Sequence, residues 1–301
     1  MRREALMRVI LIILSCFVAS PILRAQFFLW STSERDTYPG DFFYDTQYYG
    51  DKALDVSLFE VNYLCTAVID TLTHLRFEYE SVLMVGKQWT KFQERHRSQY
   101  ENEVKVDYKA AAKEYCAYLR PESYYVLYSD TYLYDSSRGL NVFTVRLGAD
   151  DYKIEERAEV INWVIVDSTK EIGNYLCAKA EADYGGRHWI AWFTSEIAIP
   201  YGPWKLRGLP GLILEAEDSS GQYCFSALSV SSGHNDITIA EYPYIMISRK
   251  QYNKMVRESV EDYSAFVNQH ISRYKSLRSI ESPRELKEKY NRPMRFGLIE
   301  Q

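Results

Sequence analysis

Nucleophilic hydrolysis needs a Ser or Cys on a sharp turn with histidine and acid partners, and the chain contains no G-x-S-x-G string. Ser219 and Ser220 stand before Gly221, but Asp218-Ser219-Ser220-Gly221 reads as a hairpin turn, not a nucleophile elbow. Metal chemistry needs ligands gathered on one element, as in H-E-x-x-H. The five histidines, His74, His96, His188, His234 and His270, are scattered along the chain, so neither a metal nor a cofactor is expected. Glycoside hydrolysis needs two carboxylates facing a cleft, and Glu215 and Glu217 share parity on one strand, with Glu196 before it. Half of any exposed strand is polar, so a solvated strand face explains the pair as simply. If the chain is a hydrolase or metal-dependent enzyme of an unrecognised type, Glu215, Glu217 and His188 are its best residues. The preferred reading is a binding or assembly accessory without catalysis.

That preference comes from the segment Tyr201 to Glu215, where turn formers and aromatics concentrate. Gly202-Pro203 and Leu209-Pro210-Gly211 suit tight turns, because proline fixes φ and glycine accepts positive φ or a close backbone approach. Trp189, Trp192, Tyr201 and Trp204 fall within sixteen residues, beside Arg187, Lys205 and Arg207. On one strand Trp189, Ala191 and Phe193 face one side and Ile190 and Trp192 the other, so one set forms core. Aromatics left open to solvent would bind a peptide, a glycan or a partner strand. The candidate binding residues are Tyr201, Trp204, Lys205, Arg207 and Trp192, and the rival reading is a crossover that only shapes the fold.

The string Gly208-Leu209-Pro210-Gly211-Leu212-Ile213 resembles the signature of the GLPGLI family of exported envelope proteins. The resemblance extends through Tyr175, Cys177, Lys179 and Ala180, then Gly186-Arg187, Ala191 to Thr194, Glu196-Ile197, Pro200 and Gly202-Pro203. It covers roughly residues 55 to 230. It implies secretion into a Gram-negative envelope and implies no reaction, because the family has no established activity.

The elements that would position the loop are mostly strands. Residues 56–68, 75–79 and 82–85 show β patterning, and a train of short candidates follows at 124–128, 131–134, 141–146, 160–166, 175–180, 188–193, 211–217 and 222–230. Turn signals at Ser137-Arg138-Gly139, Gly185-Gly186 and Asp218 to Gly221 separate many of them, which predicts an antiparallel meander and not a βαβ fold. Helical spacing appears twice. Val104, Tyr108, Ala111, Tyr115 and Leu119 predict a helix near 98–119, stopped by Pro121. Tyr252, Met255, Val256, Val260 and Tyr263 predict another, opened by a Ser248/Gln251 capping box and followed by a short helix from Ser282. The expected fold class is α+β: a large curved antiparallel sheet, similar by analogy to a half-barrel, with covering helices near 98–119 and 248–290.

Arg2, Arg3 and Arg8 precede an apolar run from Val9 to Val18 and a small residue, Ala25. That is the pattern of a secretory signal peptide over residues 1–25, too short in its apolar core to span a bilayer permanently. A second reading lipidates Cys16 in a degenerate lipoprotein box. Cleavage after Ala25 would remove four arginines and one glutamate, so the formal charge of −5 falls by three, to −8. So acidic a chain is a poor partner for nucleic acid, and another envelope or outer-membrane protein is the expected partner. Residues 26–53 read as loosely ordered and 54–301 as one domain, placed in the periplasm or at the outer-membrane periphery. Cys65, Cys116, Cys177 and Cys224 remain after cleavage, an even count that allows two disulfides or four buried thiols.

Overall fold

The computed structural model describes residue 50, then 51–70, 75–95, 130–147, 150–261 and 299–300. Fourteen strands are present among them: β1 Asp51–Val56, β2 Phe59–Asp70, β3 Leu75–Val85, β4 Trp89–Glu94, β5 Thr131–Asp135, β6 Leu140–Leu147, β7 Asp150–Arg157, β8 Val164–Ile172, β9 Tyr175–Tyr184, β10 Arg187–Thr194, β11 Leu212–Asp218, β12 Tyr223–Ser232, β13 Asp236–Ala240 and β14 Ile245–Met246. One helix, α1, runs Arg249–Glu261. Twelve strands form one sheet in the order β14-β7-β6-β5-β4-β3-β2-β12-β11-β10-β9-β8, and β1 pairs with β13 in a separate ribbon. The sheet is mixed, because β14 lies parallel to β7. It is not closed, since β14 and β8 are both edges.

The α+β expectation is therefore corrected. Strands make up 62% of the described structure and helix 7%, and among the described residues one helix packs on the sheet, beside the crossover after β10 and the β1/β13 ribbon. Among the described residues the core face is covered instead by the crossover after β10, whose Ile199, Trp204, Leu206 and Leu209 are buried in the large core. The helix predicted near 98–119 and the short one from Ser282 lie outside the described residues. The capping box at α1 is present: Gln251 Oε1 accepts from Ser248 N at 2.8 Å, and Ser248 Oγ accepts from Gln251 N at 3.3 Å. Tyr252 and Val256, four apart on one helix face, are buried against Phe143, Val145, Tyr152 and Ile154.

Period-two patterning sorts the sheet into two faces. Val61, Tyr63, Leu83, Val85, Phe92, Trp189, Ala191, Phe193, Leu214, Ala216 and Phe225 point to one side and build the large core. Val82, Met84, Leu133 and Val142 point to the other, where Ile237 of the β1/β13 ribbon covers them. The parity of β10 is as predicted: Trp189, Ala191 and Phe193 are its core set. The disulfide alternative is not realised among the described cysteines, since Cys65, Cys177 and Cys224 are all free thiols. Burial pushes the Cys65 thiol up to about 12, so it stays protonated and inert at neutral pH.

Candidate functional site

Between β10 and β11 the chain leaves the sheet for residues 195–211 and folds back over the core face. Ile197 O accepts from both Ile199 N and Leu212 N, and Pro200 O accepts from Gly208 N at 2.9 Å, so the excursion is tied at its base. Tyr201 and Arg207 pair across it as an isolated antiparallel bridge. The tip is a tight turn, Pro203 to Leu206, closed by the Leu206 N to Pro203 O bond at 3.1 Å. Trp204, at its second position, has φ 56°, a left-handed conformation that a bulky residue adopts only when its surroundings hold it there. They do. Its ring lies 5.5 Å from both Trp189 and Tyr184 and 6.4 Å from Tyr132.

The hexapeptide can now be read position by position. Gly208 supplies a φ of +95°. Leu209, Leu212 and Ile213 are buried in the large core, and the Ile213 carbonyl accepts from Tyr63 OH at 2.6 Å. Gly211 has no positive φ; it is there for space, because a Cβ on it would sit 2.6 Å from the Thr194 carbonyl carbon.

Of the predicted binding residues, Trp204 and Lys205 are buried and cannot present an open surface. Tyr201 and Arg207 are half-exposed. They meet Tyr134 of β5, whose ring lies 6.2 Å from Tyr201 and 4.2 Å from the Arg207 guanidinium carbon. These three, with Thr90, Asn141 and Trp204, line a shallow recess between the turn and β4 to β6. Trp204 Nε1 and Arg207 Nη2 are buried and have no hydrogen-bond partner among the described residues. Burial pushes the Tyr201 phenol up, so it remains a neutral donor.

Lys205 turns the other way. Its ammonium pairs with Glu156 of β7 and with Glu300 at 2.6 Å, while Arg249 at the start of α1 reaches Glu156 at 3.0 Å and Glu300 at 3.3 Å. Two cations and two carboxylates thus neutralise one another under the turn, with the Arg249 guanidinium over Phe143 at 4.8 Å. A second pair, Arg187 and Asp218 at 2.7 Å, is almost wholly buried. Arg187 also lies over the Tyr223 ring, and Asp218 accepts from Tyr223 N at 2.8 Å.

Burial would raise the Glu156 carboxyl, but the Arg249 hydrogen bond and the charges of Lys205 and Arg249 outweigh it and hold it below the ordinary range. Asp55 is lowered in the same sense, against burial, by backbone N–H bonds from Gln88, Trp89 and Val56, and Asp135 by bonds from Ser137 and Gln88. Groups lowered in the folded state bind fewer protons there than in the unfolded chain, so their contribution is present above the ordinary carboxylate value and lost below it. The melting temperature is expected to hold from neutral pH to about pH 4 and to fall as pH drops toward about 3. Thermal melts across that range check this; a melting temperature that climbs toward pH 3 would overturn it.

The hydrolase candidates are not assembled. Trp192, Glu215 and Glu217 point away from the core face: Glu215 pairs with Lys170, whose ammonium lies 4.5 Å over the Trp192 ring, and Glu217 is exposed. His188 is spent on Asp183 at 2.8 Å, and Glu196 accepts from Leu176 N. Among the described residues no group of His, Cys, Asp and Glu could hold a metal ion. Sequence reasoning missed Glu156, Arg249, Glu300 and Tyr134. Their signal is weak, since each is one charged or aromatic residue on an element remote in sequence from the loop.

Residues 185–215 match the model of a family described as Protein of unknown function (Porph_ging), the GLPGLI-type family of Bacteroidetes proteins. The match bears out the resemblance read from the hexapeptide, over a narrower span than 55 to 230. No curated protein matches the chain. Two solved structures of PNGF-II, in P21 and C2 space groups, are similar at 12% and 13% identity with TM-scores of 0.44 and 0.43. Each alignment covers 67% of this chain, which spans about a third of those chains' length, 34% and 33%. Among the described residues no helix is long and apolar enough to cross a membrane.

Proposed function

We propose that this is an exported envelope protein that captures a partner protein through the recess of Tyr134, Tyr201 and Arg207. One observation carries the reading: two buried donors, Trp204 Nε1 and Arg207 Nη2, line a recess without a partner among the described residues. A buried donor left unmade is costly, so an acceptor oxygen delivered there gains more than a surface hydrogen bond would. The Tyr–Arg–Tyr rim suits a peptide carbonyl or carboxylate, because aromatics and arginine give contact area with few rotors to freeze. Export is supported by the basic and apolar pattern of residues 2–25 and by the resemblance to an exported family.

Affinity capture of the tagged full-length gene product from envelope extract, read by mass spectrometry, tests both parts. The mature chain should begin at Gln26. A partner identified there and then purified should bind the wild-type chain at least about tenfold more tightly than Arg207→Ala or Tyr201→Ala variants of unchanged melting temperature. Equal binding by the variants would sink the recess as the capture surface. A product retaining residues 1–25 would sink export by cleavage.

A further inference from the structure

We propose that Arg187, Lys205, Arg249 and Asn253 form a receptor for a chain segment that presents an apolar side chain followed by a carboxylate, filled in this structure by residues Ile299 and Glu300. The site shares Lys205 with the lining of the recess, but its other groups lie outside that lining and it takes a different ligand.

The two residues are held by partners far away in sequence. Arg187 Nε donates to the Ile299 carbonyl at 3.0 Å, and Asn253 Nδ2 to the Glu300 carbonyl at 3.3 Å. Lys205 and Arg249 take the Glu300 carboxylate. The Ile299 side chain packs against the large core, and Gly185 leaves room beside Glu300, whose Cγ would lie 3.5 Å from a Cβ there. Thus one apolar side chain, one carboxylate and two backbone carbonyls are each recognised by a dedicated group. Peptides are read in this way, with main-chain bonds for hold and side-chain pockets for choice.

Two features mark the segment as a ligand more than as framework. Residues 299 and 300 belong to no strand or helix, and among the described residues the bonds that hold them come from side chains of the fold. Remove Glu300, moreover, and the buried Lys205 and the half-buried Arg249 face Glu156 alone, so the site favours a second acid. Asn253 Oδ1 is buried with no partner among the described residues, an acceptor that a better-matched backbone N–H can satisfy. Because the occupant is tethered, its effective concentration is on the order of millimolar, and a free segment competes only when the tethered one is weakened.

The test is a fluorescence-anisotropy titration of a labelled, amidated peptide of residues 294–301 into the full chain. Binding to an Ile299→Ala/Glu300→Gln chain should be saturable and at least about tenfold tighter than to the wild type, whose own segment competes. It should be lost with a Glu300→Gln peptide and when Lys205→Met is added to the receptor. No saturable binding to the folded double variant, or equal binding of the Gln peptide, overturns the proposal. Should the double variant not fold, the same titration uses the isosteric single variant Glu300→Gln. If that chain does not fold either, the segment is framework and the proposal fails. No envelope partner enters the titration, so its failure and that of the recess are told apart.

Discussion

Gly211→Ala is expected to cost about 4 kcal/mol or more, and to lower the melting temperature by roughly 8–16 °C. The added methyl would meet the Thr194 carbonyl carbon at 2.6 Å and its oxygen closer still, then Ser195 Cα at 3.0 Å. All three are backbone, so no rotamer change relieves the clash. Relief requires β11 to move off β10 at the Thr194↔Leu212 pair, which also strains the bond from Leu212 N to Ile197 O. Gly208→Ala makes the control. Its φ of +95° strains any side chain, yet nothing lies within 4 Å of the new Cβ, so about 1–2 kcal/mol is expected. Urea and thermal melts of the two variants separate crowding from conformation; equal losses would remove the close-approach argument for Gly211.

Breaking the Arg187–Asp218 pair should be nearly as damaging. Either Arg187→Met or Asp218→Asn alone is expected to cost about 3–5 kcal/mol, because each removes one partner of an ion pair held at a few percent exposure. The asparagine keeps an oxygen for the Tyr223 N–H, so that loss reports charge more than turn geometry. The double variant should cost well below the sum, with a coupling of about 2–3 kcal/mol in a double-mutant cycle read by urea unfolding. Additive losses would show that Arg187 acts instead through its bond to Ile299 and its contact with Tyr223.

What the sequence disclosed was local. The alternation through Trp189, Ala191 and Phe193, the glycines of the hexapeptide, the capping box at Ser248 and the turn at Asp218 rest on neighbours within a few residues, and each is present. Strand β7, Asp-Asp-Tyr-Lys-Ile-Glu-Glu-Arg, was missed because six of its eight residues are charged. Its buried face pairs Tyr152 and Ile154 with the acids Asp150 and Glu156, and the charge of Glu156 makes sense only once Lys205 and Arg249 arrive from elsewhere. Strands 75–79 and 82–85 were read as two because both faces of β3 are apolar near Val82, which blurs the period; the structure has one strand, Leu75–Val85. The fold class went astray because helical spacing near 98–119 and 248–290 suggests several covering helices, whereas α1 alone is helical among the described residues. A glycine- and proline-rich stretch looks like an exposed loop, and only the meeting of Trp204 with Trp189 and Tyr184 makes it a lid on the core.

Strand order has a consequence for how the chain assembles. Apart from β14 on β7, every ladder of the large sheet joins strands adjacent in sequence except one, β2 with β12, where Phe59 meets Ser232 and Ala67 meets Tyr223. The sheet is two meanders, residues 59–157 and 164–232, sewn together by a single long-range seam. Each meander can grow by adding a strand to its predecessor, whereas the seam carries the largest loop-closure cost of any ladder in this sheet, exceeded only by the separate β1/β13 ribbon. Until it closes, β2 and β12 are open edges flanked by Tyr63, Cys65 and Phe225, side chains that belong at the centre of the core. The half-built chain therefore offers a sticky edge to any neighbour in the same state.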